Sequence, residues 1–177
     1  MSRINLDTQL APQASQPLLT QIQQAFGTTP NMFKAVANSP AALQSMWSAF
    51  AALGKDTLGA KLGEQIAVAI ANLNRCEYCL AAHTVLGQNA GASAAEMAEA
   101  QIGKAADDKT AAALTFALKV VNQRAQMTDA DITTLRNVGF NDQQIVEIMA
   151  HVALNIFTNY INIALDTPVD FPRVELI

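Results

Sequence analysis

The chain has 177 residues, of which 51% are hydrophobic, 15% charged and 6% aromatic, which suits one folded domain with a sizeable core and excludes a disordered chain. Eleven basic against fifteen acidic residues give a net charge of −4 with no Lys/Arg cluster, which excludes nucleic-acid binding because phosphate neutralisation needs a concentrated basic face. The opening Met1-Ser-Arg-Ile-Asn-Leu-Asp7 lacks the apolar run of a signal peptide, and the longest apolar stretch, 148–165, carries His151, Asn155, Asn159 and Asn162, which are costly at a bilayer centre; a cytoplasmic chain with no membrane partner is expected.

Residues 1–16 are polar, carry Pro12 and read as an arm ahead of one helical domain over 17–177. A short helix over 17–26 is broken by Gly27-Thr-Thr-Pro30, and a second over 31–37 is stopped by Asn38-Ser-Pro40. Ser39 with Pro40 in the first turn opens a third helix, which runs to Leu53. The spacing of Leu62, Ile66, Ala69, Ile70 and Leu73 predicts a helix over 60–73. Asn72-Leu-Asn-Arg75 interrupts it and another helix follows to Gly91. Ser93 with Glu96 has the form of a capping box and opens a short helix ending at Gly103. A long helix is expected over 107–126, with Leu114, Leu118 and Val121 on one face. Thr128 with Asp131 caps a short helix ending before Gly139, and Asn141 with Gln144 caps the last one, to about residue 165. The tail, 166–172, is extended. No alternating apolar run asks for a strand, alanine is abundant, and glycine and proline are sparse, so the expected fold is all-α, a single-domain helical bundle.

The chemistry is concentrated in Cys76-Glu-Tyr-Cys79-Leu-Ala-Ala-His83. A reducing compartment disfavours a structural disulfide, so two cysteines three residues apart point to catalysis or metal binding. On a helix, spacings of three and four put Cys76, Cys79 and His83 on one face. The break at 72–75 puts Cys76 near a helix N-terminus, where unpaired N–H groups and the dipole favour a thiolate. Glu64 lies twelve residues before Cys76, about 18 Å along a continuous helix. If the two helices fold back antiparallel, Glu64 is ten residues before the turn and His83 nine after it, and they face each other. Glu64 can then hold the His83 ring and raise its basicity, while His83 takes a proton from a thiol. Zinc is the rival reading, since Cys76, Cys79, His83 and Glu64 offer four possible ligands. Two inert buried cysteines, or proton transfer by Glu64 and His83 with the cysteines as bystanders, are others.

The pattern Glu64-x11-Cys76-x2-Cys79-x3-His83 resembles the signature of the alkylhydroperoxidase D-like proteins, within the carboxymuconolactone decarboxylase-like superfamily. The phrase Asn74-Arg-Cys-Glu-Tyr-Cys-Leu-Ala-Ala-His83 is similar to their peroxidase-related branch, and the resemblance is strongest over 40–103. It implies an all-helical fold assembled as a homotrimer or homohexamer. It also implies reduction of alkyl hydroperoxides through a dithiol that cycles to a disulfide, without a cofactor or metal, at the expense of an external thiol or dithiol. By residue, Cys79 would attack the peroxide and become a sulfenic acid, Cys76 would resolve it, and Glu64 with His83 would relay protons. Local physics alone favours Cys76 as the thiolate, so the choice of Cys79 rests on its His83 neighbour and on the resemblance. The best-known member has a second histidine between the cysteines where this chain has Tyr78, a hydrogen-bond donor and a poor base; Tyr78 is kept as an auxiliary site residue. Lactone chemistry is discounted because the decarboxylase branch lacks the cysteine pair. A general thiol–disulfide oxidoreductase and a metal-binding or structural member of the fold are the alternatives.

Three groups take structural readings. Tyr78 packs with its hydroxyl at the surface, and Trp47 and Phe50 anchor a core or an interface. Glu147, His151, Asn155, Asn159 and Asn162 form a polar stripe, read chiefly as a hydrogen-bonded seam between helices and alternatively as an active-site wall or subunit contact.

Overall fold

A computed structural model describes residues 2–177, and among them the regular structure is entirely helical. Two 3-10 turns, Thr8–Leu10 and Gln13–Ser15, precede α1 (Gln16–Phe26), α2 (Asn31–Val36), α3 (Pro40–Leu53), α4 (Ala60–Leu73) and α5 (Glu77–Asn89). There follow α6 (Ala94–Gln101), α7 (Asp108–Asn122), α8 (Asp129–Asn137) and α9 (Asp142–Ala164). The capping boxes at Ser93, Thr128 and Asn141 all form, and the Ser39 side chain caps α3. Each satisfies backbone N–H groups that the first turn of a helix leaves open.

Helix α4 is the axis of the molecule, packing against α5, α6, α7 and α9. Its residues from 65 to 71 are buried on all sides, and each fully buried Ile or Val contributes about 1.5–3 kcal/mol. Close approach depends on glycine at two places. A Cβ on Gly63 would stand 2.8 Å from Cε1 of His151 on α9, and one on Gly87 of α5 would stand 3.3 Å from Cβ of Glu64 on α4.

The reversal between α4 and α5 is a Schellman turn. Cys76 N–H donates to the Ala71 carbonyl at 2.9 Å and Arg75 N–H to the Asn72 carbonyl at 3.1 Å. Arg75 takes the left-handed conformation, φ 61°, where glycine is the usual occupant. This turn makes α4 and α5 an antiparallel pair and leaves Cys76 as the residue that opens α5.

The end of one helix differs by several residues from the sequence expectation. Helix α7 stops at Asn122, not 126, because Arg124 and Ala125 are both left-handed and Ala125 N–H closes onto the Val120 carbonyl. No glycine or proline marks that stop. The expected arm lies against the helical domain: Arg3 N–H bonds the Leu165 carbonyl at 2.8 Å, and the buried Ser15 hydroxyl bonds the Ala37 carbonyl at 2.7 Å.

Candidate active site

The four residues of the sequence pattern meet at the α4–α5 hairpin. Cys76 is the N-cap of α5, and its Sγ accepts from Cys79 N–H at 3.3 Å. The next turns of α5 carry Cys79 and then His83. Because α4 runs antiparallel, Glu64 lies beside His83, with its Oε2 2.7 Å from Nδ1. Both sulfurs are buried, Cys76 at 1% and Cys79 at 2% exposure, and both are free thiols. Among the described residues no three His, Cys, Asp or Glu side chains form a metal-ligand group.

The electrostatics separate the two cysteines. Burial alone would raise the Cys79 thiol. The Cys76 hydrogen bond, the charge of His83 and the amides of Asn162 and Asn159 overcome it and bring the thiol down to about 7. The hydrogen bond with Cys79 pushes Cys76 far up, and burial adds to this. The helix-end argument for Cys76 is therefore reversed: Cys76 spends its position on donating to its neighbour, and the negative charge settles on Cys79. Burial works against a charged His83, but the Glu64 carboxylate, followed by Cys79, raises its pKa above the ordinary value. The arrangement favours a thiolate at Cys79 beside a protonated His83 that Glu64 holds.

Cys79 opens on a cavity of about 330 Å³ lined by Phe33, Trp47, Phe50, Tyr78 and Phe171 together with Glu64 and His83. The rings hold one another edge-on: Phe33 meets Trp47 at 5.8 Å and Tyr78 meets Phe171 at 5.7 Å. Cys76 borders a different cleft, of about 240 Å³, with Arg75, Glu77, Asn162 and Asp166.

Two structural readings change, those of Tyr78 and of the α9 stripe. The Tyr78 hydroxyl is not at the surface; the side chain is buried and its oxygen accepts from Met32 N–H at 3.2 Å. Trp47 and Phe50 pack against the hydrophobic core, as expected of anchors, and also line the cavity over Cys79. The polar stripe of α9 divides. His151 bonds Asp56 at 2.6 Å, across to the segment between α3 and α4, as a seam does, whereas Asn155 donates to the His151 carbonyl within α9 itself. Asn162 reaches the site, donating to Cys79 Sγ at 3.2 Å. Asn162 and Asn159 are site residues that the sequence reading left in the stripe, and their signal was an amide every three or four residues on an otherwise apolar helix.

Residues 40–123 match the profile of the carboxymuconolactone decarboxylase family. Among solved structures, the chain is similar to an uncharacterized peroxidase-related protein from Silicibacter sp. TM1040, at 25% identity and TM-score 0.84 over 94% of this chain and 91% of that one. It is also similar to the alkylhydroperoxidase AhpD core of an uncharacterized peroxidase-related protein from Ralstonia eutropha JMP134, at 25% identity and TM-score 0.86 over 96% and 92%. The debrominase Bmp8, 18% identical with TM-score 0.75 over 94% of each chain, shares the fold. No curated protein matches the sequence significantly.

Proposed function

We propose that the chain is an alkylhydroperoxidase D-like protein of the carboxymuconolactone decarboxylase superfamily and, on that premise, a thiol-dependent peroxidase that reduces organic hydroperoxides through Cys79 and Cys76. One observation carries the reading. Cys79, with its thiol lowered to about 7, faces an apolar cavity while hydrogen-bonded Glu64 and His83 stand beside it.

In the proposed cycle the Cys79 thiolate attacks the distal peroxide oxygen. The S–O bond forms, the O–O bond breaks, and the leaving alkoxide takes the proton of the His83 imidazolium to become an alcohol. Cys76 then attacks the Cys79 sulfenic acid, forming the disulfide, and its proton leaves with the hydroxyl as water. An external dithiol returns two electrons and two protons through thiol–disulfide exchange. The net change is hydroperoxide plus dithiol to alcohol, water and disulfide. Glu64 holds His83 in register and keeps it basic; Tyr78 shapes the cavity floor.

The cavity favours a peroxide with an apolar body. Its volume is at the lower end of small-molecule pockets, which run from about 300 Å³, and roughly twice the ~150 Å³ that holds a benzene ring. The separate cleft at Cys76 supports a second approach, for the reductant. Assembly as a homotrimer or homohexamer belongs to the same proposal. Sulfenic acid trapping tests the assignment of roles: a dimedone adduct forms at Cys79 in Cys76→Ser after one equivalent of peroxide, and none forms in Cys79→Ser. The reverse pattern would exchange the two roles.

A further inference from the structure

Helix α9 is apolar along most of its length, yet it buries Asn159 and Asn162 at 0% and 3% exposure. A buried amide costs free energy unless its donors and acceptors are met. Asn162 meets only part of its capacity: Nδ2 donates to Cys79 Sγ at 3.2 Å, and Oδ1 has no partner. Asn159, one turn back, has its Oδ1 fixed by Asn74 Nδ2 at 3.0 Å, and its own Nδ2 makes no full hydrogen bond but lies close enough to Cys79 to favour the thiolate weakly. Asn155 likewise leaves its Oδ1 unmet, so three amides of α9 are held in the core at a cost, and Asn162 is the one whose side chain has a sulfur as its hydrogen-bond partner. A purely structural seam does not explain that; an aliphatic side chain at 162 would bury as well and leave no oxygen unmet.

We propose that Asn162 is a catalytic residue, whose Nδ2–H donates to Cys79 Sγ and holds that sulfur as the attacking thiolate, with Asn159 supporting it from the preceding turn. The inference rests on Cys79 being the attacking sulfur. Hydrogen bonds to the charged form favour that form, and those to an ionised acceptor are the strong ones. The amides of Asn162 and, more weakly, Asn159 both lower the Cys79 thiol. The titratable groups acting on Cys79 are Cys76 and His83 from its own helix, with Glu64 of α4 behind His83 and Tyr78 beside it. Helix α9 brings the two neutral amides to this group. An amide stabilises the thiolate without titrating, so it acts at every pH at which the imidazolium has begun to lose its proton.

The test is the pH dependence of iodoacetamide alkylation at Cys79 in the full chain, resolved from Cys76 by fragment-ion mass spectrometry. Wild type gives a midpoint near 7. Asn162→Leu and Asn162→Ala raise the midpoint by about one to two pH units, and the isosteric Asn162→Asp raises it at least as far because it cannot donate. Asn155→Ala, an equally buried amide on the same helix that bonds the His151 carbonyl, leaves the midpoint in place. Thermal melting supplies the contrast: Asn162→Leu melts no lower than wild type, whereas a structural asparagine would lower the melt and leave the midpoint alone. An unchanged midpoint in folded Asn162 variants overturns the proposal. A wild-type Cys79 without a depressed midpoint overturns the peroxidase reading itself, so the two failures are distinguishable.

Discussion

His83 stands between two groups that pull in the same direction. Glu64 on α4 and the Cys79 sulfur one turn back on α5 both favour its protonated form, and the protonated form in turn favours the thiolate. The pair therefore predicts a bell-shaped pH–rate profile. Below about 7 the rate falls tenfold per unit as Cys79 takes up its proton. On the alkaline side it falls as His83, whose pKa is raised, loses the proton that the leaving alkoxide needs. Glu64→Gln keeps a hydrogen bond and removes the charge, so it shifts the alkaline limb to lower pH. His83→Asn removes the proton donor, with an expected loss of about 10²–10⁴ in kcat/KM. Stopped-flow measurement of peroxide reduction between pH 5 and 10 checks both. At this scale the Glu64–His83 pairing was legible, because counting residues on either side of one turn fixes which side chains meet. Asn162 was not: sequence spacing shows that an amide recurs on a helix, but not which of several buried faces meets the sulfur.

The precision of the site comes from how α4, α5 and α9 approach one another. The Schellman turn with Arg75 in the left-handed region sets the α4–α5 register, and Gly63 lets α9 close on α4. Gly63→Ala forces the His151 ring, held by Asp56 at 2.6 Å, out of its place. Overpacking of this kind costs about 1–3 kcal/mol, against about 1 kcal/mol recovered from helix propensity. Urea unfolding should show an unfolding free energy lowered by up to about 2 kcal/mol, read as a lower midpoint at unchanged slope, and a stabilised variant would refute the close approach. Helix existence and order were readable because Ser39, Ser93, Thr128 and Asn141 announce their helices. The end of α7 was not, since two left-handed non-glycine residues, Arg124 and Ala125, close it and no composition signal marks such a turn.

Over the whole molecule, α9 serves two surfaces. One face completes the site, while Val146, at 67% exposure, Ala153, Tyr160, at 59%, and Ile163 lie on the outside. A stripe of this spacing on a long helix suits helix-to-helix contact between copies, in keeping with the proposed trimer or hexamer. Light scattering after size exclusion should give three or six copies for wild type and a smaller species for Val146→Lys with Tyr160→Lys; a wild-type monomer at micromolar concentration would refute the assembly. Among the described residues no helix is long and apolar enough to cross a membrane. What the sequence could not supply at this scale was the aromatic cavity. Phe33, Trp47 and Phe50 come from α2 and α3 and Phe171 from the tail, and only the packed fold brings those segments over Cys79.

Hydroperoxide consumption with a dithiol reductant decides whether Cys79 reduces organic hydroperoxides. Cumene hydroperoxide and dithiothreitol serve as the pair, with wild type and Cys79→Ser compared at pH 7.5. Wild type should turn over catalytically, with one alcohol formed per dithiol oxidised, and Cys79→Ser should show background consumption only. Equal rates in the two proteins, or no turnover above background by wild type with any hydroperoxide offered, would contradict the proposed reaction.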